Sequence, residues 1–293
     1  MTAANRPCSG QLYRSGGGYQ NQRLISTDPD QPYCFEPLLR LSGVALDVEY
    51  AFTIPVIGKG PMADIIHPFY ASHRAAMEAA MRHRLDLAAA MLRERAQLSD
   101  LDGIRQEVMA EFDVVLTQLP YVGGAENRMS DFFMRLMGFM AISRVLRRHG
   151  VPPPVIGDIE RDTYKAQLLA VPEAERLAAG QQFMSSANRT LLREQAANSA
   201  TASHREAFPG DFVYDVVDPG PGDTFEFGIN YQACGFCKFA ACHGDKEILP
   251  NICGLDVVAY ATRGIRLERT QTLAGGAEHC DFRFSRLAPD PAS

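Results

Sequence analysis

The chain has 293 residues, of which 46% are hydrophobic and 22% are charged. This composition is ordinary for a globular protein and supplies enough apolar material for one large domain or two modest ones. The formal net charge of −6 argues against a nucleic-acid partner, because phosphate binding requires a basic face. No stretch approaches the roughly 18 to 20 consecutive apolar residues of a membrane span, so a membrane partner is not expected.

The N-terminal segment predicts a cytoplasmic location. It lacks the apolar region of a secretory signal, and the reducing cytosol keeps thiols free. The chain has seven cysteines, and this odd number fits free thiols better than a disulfide framework. For Cys8 and Cys34 a packing role is expected.

Helices are predicted after a polar N-terminal segment. Residues 1–35 are rich in Gly, Ser, Asn, Gln and Pro and predict a flexible arm, while residues 38–54 are apolar but interrupted and stay unassigned. Apolar residues then recur at three- and four-residue steps, which predicts amphipathic helices. The predicted helices cover residues 71–97, 102–118, 130–148 and 159–197, the last with a break near Pro172.

The hydrophobic pattern changes after Pro209 to one typical of strands. Segments rich in β-branched and aromatic residues flank turn sequences, which predicts two β-hairpins. Their strands cover residues 211–217 and 224–231, then 264–273 and 278–287, with short helices at 235–243 and 252–262 between them. The predicted fold class is α+β, with a helical N-terminal half followed by a mostly antiparallel sheet of two hairpins with crossing helices.

Three regions follow from this pattern: the arm at 1–35, a mainly helical region at 36–205, and an α+β region at 206–293. The last region carries five of the seven cysteines and therefore the candidate site. We expect it to form one compact unit with the helices.

The segment around Cys253 has the pattern of an activated thiol. Cys253 and Asp256 are three residues apart, so a helix would place both on one face. Because Pro250 and Asn251 precede it, Cys253 is expected near the helix start, where the dipole and free N–H groups lower a thiol pKa. Cys253 is therefore a candidate nucleophile, and Asp256 a candidate for orienting a partner or moving a proton.

The last strand contributes further candidates. Alternate residues share a face, so the strand divides its side chains into an inward set of Cys280, Phe282 and Phe284 and an outward set of His279, Asp281 and Arg283. Arg269 interrupts the apolar alternation of the facing strand, which indicates either a carboxylate partner or a ligand anion. Simpler roles stay open: Asp281 pairing with Arg283 or Arg269, His279 in solvent, and any of the cysteines packed in the core.

Cys234 and Cys237 form a C-x-x-C pair, the usual chelating unit. With Cys242 they make an alternative metal site, although the spacing to Cys242 and Cys253 does not match common zinc or iron–sulfur patterns. A redox-active pair is the other reading of the motif. No nucleotide-binding glycine motif is present, so no cofactor is predicted and a divalent metal is left open.

The C-terminal motifs resemble those of the L-2-amino-thiazoline-4-carboxylic acid hydrolase family. The matching elements are the C-x-x-D pair of Cys253 and Asp256, the R-T-x-T-L-x-x-G segment that begins at Arg269, and the C-D-F-R-F segment that begins at Cys280. The resemblance covers roughly residues 130–287 and is strongest from 230 onward. Cys237 and Cys242 depart from the family pattern.

The resemblance implies opening of a cyclic, amidine-like C=N group, in which water adds to the thiazoline ring carbon and yields N-carbamoyl-cysteine. The implied function is a hydrolase that acts on a C–N or C=N bond of a small heterocycle or amide, with a cysteine nucleophile or a carboxylate-activated water. The implied catalytic residues are Cys253, Asp256, Cys280 and Asp281. The implied substrate-binding residues are Arg269, which would hold a substrate carboxylate, and Thr272, His279 and Cys234.

Two alternatives remain at this point. One is a non-hydrolytic metal- or small-molecule-binding protein that uses Cys234, Cys237 and Cys242, and the other is a tailoring enzyme of secondary metabolism on the same scaffold. The expected partner is a small-molecule substrate that carries a carboxylate, and a homo-oligomer is left open.

Overall fold

The computed structural model describes residues 65–287. The predictions for residues 1–35 and 38–54, and those for Cys8 and Cys34, lie outside the described residues. The described part begins with seven helices: α1 (Pro68–Glu94), α2 (Leu101–Gln118), α3 (Met129–Arg148), α4 (Pro153–Leu169), α5 (Glu173–Phe183), α6 (Ser186–Ser199) and α7 (Ala202–Ala207).

The first three predicted helices are confirmed to within a few residues. The predicted helical stretch at 159–197 is divided among α4, α5 and α6. One break falls at Pro172, as predicted, because proline suits the residue before a helix. A second falls at Ser185, whose hydroxyl caps α6 by accepting a hydrogen bond from the Asn188 amide at 3.1 Å. The short helix α7 was not predicted.

A four-stranded antiparallel sheet follows the helices, which confirms the α+β class. Its strands are β1 (Val213–Val217), β2 (Phe227–Ala233), β3 (Ile265–Glu268) and β4 (Cys280–Arg286), in the spatial order β1-β2-β4-β3. The two predicted hairpins are β1–β2 and β3–β4. Between them lie α8 (Gly235–His243) and α9 (Leu249–Ala261), close to the predicted short helices.

The second hairpin is shorter than predicted. β3 ends at Glu268, so Arg269 and Thr272 lie outside the strand. The cause is a contact across the hairpin, because the backbone amides of Thr270 and Gln271 donate to the Asp281 carboxylate. Thr272 then caps a 3₁₀ turn by accepting from the Gly275 amide at 3.0 Å.

One continuous cluster of buried hydrophobic side chains extends from α1 to β4. Along β4 the side chains of Cys280, Phe282 and Phe284 are buried, which confirms the predicted inward face. The helical region reaches the C-terminal region through contacts of α4 with α9 and of α6 with β1.

A buried ion network also links these regions. Arg144 of α3 donates to Asp245 at 2.5 Å and to Glu111 of α2 at 3.0 Å. All three side chains are at least 88% buried, so each charge depends on its partners for solvation. Within residues 65–287 no helix combines the length and the apolar character that crossing a membrane requires.

Candidate active site

The site lies where three strands terminate at one end of the sheet. Tyr231 of β2 pairs with Cys280, the first residue of β4, and Glu268 pairs with Arg283 as β3 ends. The C-terminal ends of β2 and β3 and the N-terminal end of β4 therefore share one end of the sheet. Cys234 follows β2 directly, so the backbone alone brings it close to Cys280.

Helix α9 supplies Cys253 and Asp256 to the same place. Arg269 joins the two: its Nη1 donates to Asp256 Oδ2 at 3.2 Å, and its Nη2 donates to the Cys253 carbonyl at 3.1 Å. The guanidinium also lies 5.1 Å from the centre of the Phe282 ring, within cation–π range. Of the two predicted roles of Arg269, a carboxylate partner is the one that the structure contains.

The segment from β2 to β4 holds four free thiols, and we call them the thiol cluster. Its members are Cys234, Cys237, Cys253 and Cys280. The Cys253 thiol interacts electrostatically with Asp256, Arg269, Cys237 and Cys280, and Cys234 interacts with Cys253. The Cys253 and Cys280 thiols are therefore close enough to interact electrostatically.

The protonation of Cys253 differs from the expectation. Burial, assisted by the neighbouring Asp256 carboxylate, raises the Cys253 pKa to about 12. The predicted lowering at a helix start is wrong, because Cys253 is the fifth residue of α9 and lies beyond the free amides of the first turn. Desolvation of the thiolate therefore decides its pKa.

Cys280 is likewise expected to be a neutral thiol near neutral pH. Burial raises its pKa, although its sulfur accepts a hydrogen bond from the Leu273 amide at 3.2 Å. Both thiols proposed as nucleophiles from the sequence thus need a base to become reactive.

Asp256 is an acidic side chain that interacts electrostatically with both Cys253 and Cys280. Burial raises its pKa to about 6, against the opposing effect of Arg269. A carboxyl group with a pKa near the working pH is suited to proton transfer. Its position one turn after Cys253 on α9 keeps the acid and the thiol on one face.

Cys237 is the one member of the thiol cluster whose pKa is lowered. A hydrogen bond with Cys234 lowers the Cys237 pKa and raises that of Cys234 well above its ordinary value. Cys234 is the N-cap of α8 and Cys237 is its third residue. The sequence interpretation assigned Cys237 to the alternative metal site or to a redox-active pair, and a C-x-x-C pair that overlaps a predicted helix start is a known setting for acidic thiols.

Asp281 holds the segment after Arg269 rather than facing the thiols. Its carboxylate accepts hydrogen bonds from the Thr270 amide at 2.9 Å, the Thr270 hydroxyl at 2.5 Å and the Gln271 amide at 2.8 Å. Although burial alone would raise it, these bonds lower the Asp281 pKa. Strand alternation places Asp281 opposite to Cys280, and its hydrogen bonds hold the two residues that follow Arg269.

His279 and Thr272 lie at the border of the site. The His279 ring is within hydrogen-bond distance of the Gln271 side-chain amide, at 3.0 Å, and Thr272 is occupied as the cap of the turn before Gly275. Both therefore take part in shaping the loop that follows Arg269.

The cysteines of the alternative metal site are spread along α8. Cys242 lies at the exposed far end of this helix and is disulfide-bonded, so the expectation of free thiols is wrong at this position. Among residues 65–287 no group of three or more His, Cys, Asp or Glu side chains is arranged to hold a metal ion.

Two concave spaces adjoin the site. A cavity of about 280 Å³ includes Ala233 and Lys238 in its lining, on either side of Cys234 in sequence, and Lys238 interacts electrostatically with Cys234. A smaller space of about 30 Å³ lies beside Asp256 and is lined by Arg135 and Arg263 among others. The first cavity therefore includes the sequence neighbours of Cys234 and the second includes Asp256, while neither is lined by a member of the thiol cluster.

These features define an α+β protein in which thiols, a titratable carboxyl group and an arginine meet at one end of an antiparallel sheet. The model of the L-2-amino-thiazoline-4-carboxylic acid hydrolase family matches residues 160–284, a range that contains every residue of this site. The match confirms the resemblance over this part of the chain. Comparisons with curated proteins and with solved structures gave no match.

Proposed function

We propose that the protein is a hydrolase that opens a small, thiazoline-like heterocycle bearing a carboxylate. The observation that carries this proposal is the convergence of Cys253, Cys280, Asp256 and Arg269 at one end of the sheet, within the range of the family match. These groups supply a nucleophile, a base and an anion clamp, which are the three functions that ring opening needs.

The reaction consumes one water. In the covalent route a thiolate adds to the C=N carbon, the ring C–S bond breaks, and the ring sulfur leaves and takes a proton. Water then attacks the same carbon, the enzyme thiol leaves, and a urea-type product with a free thiol remains. In the direct route water adds to the C=N carbon without an enzyme adduct, and the ring C–S bond breaks in the same way.

Asp256 has a role in both routes. Because burial raises the pKa of Cys253 to about 12, the sulfur attacks only as its proton leaves, and Asp256 is the carboxylate nearest in the chain to receive it. In the direct route Asp256 takes the proton of the attacking water instead. Its pKa of about 6 allows it to accept a proton near neutral pH and to return it to the leaving group.

Arg269 couples substrate binding to this base. A substrate carboxylate that engages the guanidinium competes with Asp256, which is 3.2 Å from Nη1. Release of Asp256 from the ion pair makes it a better base at the moment the substrate arrives. Thr272, His279 and Cys234 are proposed to contact the remainder of the substrate, and Asp281 is proposed to position Arg269.

The test is turnover of L-2-amino-thiazoline-4-carboxylate, measured as release of product thiol. We expect Cys253→Ala or Cys280→Ala to abolish turnover while the circular dichroism stays near that of the wild type. Val257→Ala is the matched control, since this exposed side chain lies on α9 next to Asp256. Full activity in both cysteine variants would exclude the covalent route and leave the direct route. Asp256→Asn should then abolish turnover.

Inactivity of the wild type on this substrate and on a panel of related heterocycles and amides would contradict the hydrolase. Elemental analysis then separates the alternatives. About one equivalent of zinc, or iron with visible absorption, supports the metal-binding protein, whereas modification of another ring by a different reaction supports the tailoring enzyme.

A further inference from the structure

Two members of the thiol cluster have no chemical step in the proposed hydrolysis. Cys234 follows β2 with an extended backbone and is the N-cap residue of α8. Cys237 is the third residue of that helix. Their side chains are hydrogen-bonded to each other. Both are free thiols and both are partly exposed, so the pair is formed and reachable.

Tight contacts at Gly235 fix the start of α8 and with it the two sulfurs. A Cβ at Gly235 would lie 2.7 Å from the Gly210 carbonyl oxygen and 2.8 Å from the Phe133 ring. The next side chain, Phe236, packs edge-on against Phe133 and Phe212. The C-x-x-C segment therefore has a glycine because only glycine allows this approach, and its backbone is held on both sides.

The surroundings favour a thiolate on this pair. The free amides of the first turn of α8 and the positive end of its dipole lie beside the two sulfurs. Lys238 adds a cation that interacts with Cys234. A cavity of about 280 Å³ is lined by Ala233, which precedes Cys234, and by Lys238, which follows Cys237.

We propose that Cys234 and Cys237 are a redox-active dithiol that undergoes exchange with small disulfides and closes to an intramolecular disulfide. The Cys237 thiolate attacks one sulfur of a disulfide such as oxidised glutathione, forms a mixed disulfide and expels one glutathione thiolate. Cys234 then attacks Cys237 Sγ and expels the second glutathione. Two thiols are oxidised, one disulfide is reduced to two thiols, and the protons of the pair pass to the two glutathione molecules.

Cys237 is the attacking member of the pair, because its interaction with Cys234 lowers the pKa of Cys237 and raises that of Cys234, which favours the negative charge on Cys237. The other two cluster thiols are less suited to this role. Cys280 is 7% exposed and its sulfur is held by the Leu273 amide, and desolvation keeps Cys253 protonated.

The test uses the full-length protein equilibrated near neutral pH in buffers with different ratios of reduced to oxidised glutathione. Acid quenching, alkylation and digestion with trypsin precede mass spectrometry. Trypsin cleaves after Arg205 and Lys238, and the peptide 206–238 contains Cys234 and Cys237 but no other cysteine. We expect this peptide to carry two alkyl groups in reducing buffers. In oxidising buffers it should carry none and be two hydrogen atoms lighter than the unmodified peptide, and excess dithiothreitol before alkylation should restore the doubly alkylated form.

Single variants test the order of attack. In Cys234→Ser the resolving thiol is absent, so Cys237 should accumulate as a stable mixed disulfide with glutathione. In Cys237→Ser neither the internal disulfide nor this adduct should form at more than about a tenth of that level, because the remaining thiol is not activated. The double variant Cys253→Ser with Cys280→Ser is the matched control and should keep the 234–237 disulfide.

A peptide 206–238 that stays a dithiol at every glutathione ratio would overturn the proposal, as would pairing of Cys237 with Cys253 or Cys280. Circular dichroism of each variant identifies any that fails to fold, and the wild-type titration decides the proposal in that case. Because the readout is a mass and not turnover, the result is independent of whether the hydrolase assignment holds.

Discussion

Asp256 shows how a single residue can link stability to the chemistry of the site. Its carboxyl group has a pKa of about 6 in the folded protein, above the ordinary value near 3.9 of an unfolded chain. The folded state thus binds the proton more tightly than the unfolded state. This contribution to stability is fully present below the unfolded pKa and is lost as the pH rises through about 6.

Replacement of Asp256 by Asn should remove this pH dependence. We expect the free energy of unfolding of Asp256→Asn, relative to the wild type, to improve by about 2 kcal/mol between pH 4 and pH 7, a value reduced for the partial exposure of the side chain. Urea unfolding at several pH values measures it. A constant difference between the two proteins would show that Asp256 titrates normally.

Arg269 makes two hydrogen bonds that a lysine cannot reproduce together. For Arg269→Lys we expect kcat/KM to fall about 10- to 100-fold, mainly through a higher KM, because the bidentate hold on the substrate carboxylate is lost. The matched control is Arg266→Lys, at an exposed position of β3 that pairs with Glu268. Equal kinetics in both variants would contradict the proposed binding of the substrate carboxylate by Arg269.

At the scale of elements, the segment from Arg269 to Gly275 depends on one carboxylate. Asp281 accepts three hydrogen bonds from Thr270 and Gln271. Asp281→Ala leaves two backbone amides without this partner, which costs about 1–3 kcal/mol of stability. We expect it to lower turnover as well, because Arg269 loses its support.

The Asp281→Asn variant removes the charge of this side chain and keeps its shape. The amide oxygen can still accept, so stability should recover in part, and turnover should follow it. Glu278→Gln is the control for a charge change in the same loop. An Asp281→Ala variant with normal stability and normal turnover would show that the segment holds itself in place.

At the start of α8 the prediction concerns an added methyl group rather than a lost hydrogen-bond partner. Gly235→Ala forces a methyl group against the Gly210 carbonyl and the Phe133 ring, which should destabilise the fold by about 1–3 kcal/mol. Gly254→Ala is the control, since no atom lies within 4 Å of a Cβ there and alanine favours a helix interior by up to about 1 kcal/mol. Thermal unfolding should therefore move in opposite directions in the two variants.

Most elements could be predicted from the sequence because their patterns are local. The helices α1, α2 and α3 and the alternation of Cys280, Phe282 and Phe284 follow directly from apolar spacing. The end of β3 could not be predicted, since it depends on Asp281, a residue eleven positions after Thr270 in sequence. The apolar and neutral residues at the start of α9 did not indicate that burial would raise the pKa of Cys253 to about 12.

At the scale of the whole molecule, the ion network of Arg144 ties the helical region to the segment between α8 and α9. Arg144→Leu leaves Asp245 and Glu111 buried with one fewer cation, and we expect a loss of about 3–5 kcal/mol. Arg161→Leu, at an exposed pair with Asp158, should change stability by no more than about 0.5 kcal/mol. Chemical denaturation followed by circular dichroism measures the stability of both variants. Similar losses of stability would show that the buried network contributes no more than an exposed ion pair.

The order of the strands has a consequence for how the protein acquires its chemistry. β2 and β4 are neighbours at the centre of the sheet, yet α8, α9 and β3 are synthesised between them. Pairing of this kind closes a long loop and is slow, because the chain loses conformational entropy before the stabilising contact forms. A nascent or partly folded chain therefore keeps Cys280 apart from the end of β2, and this end of the sheet is complete only after β4 has paired with β2.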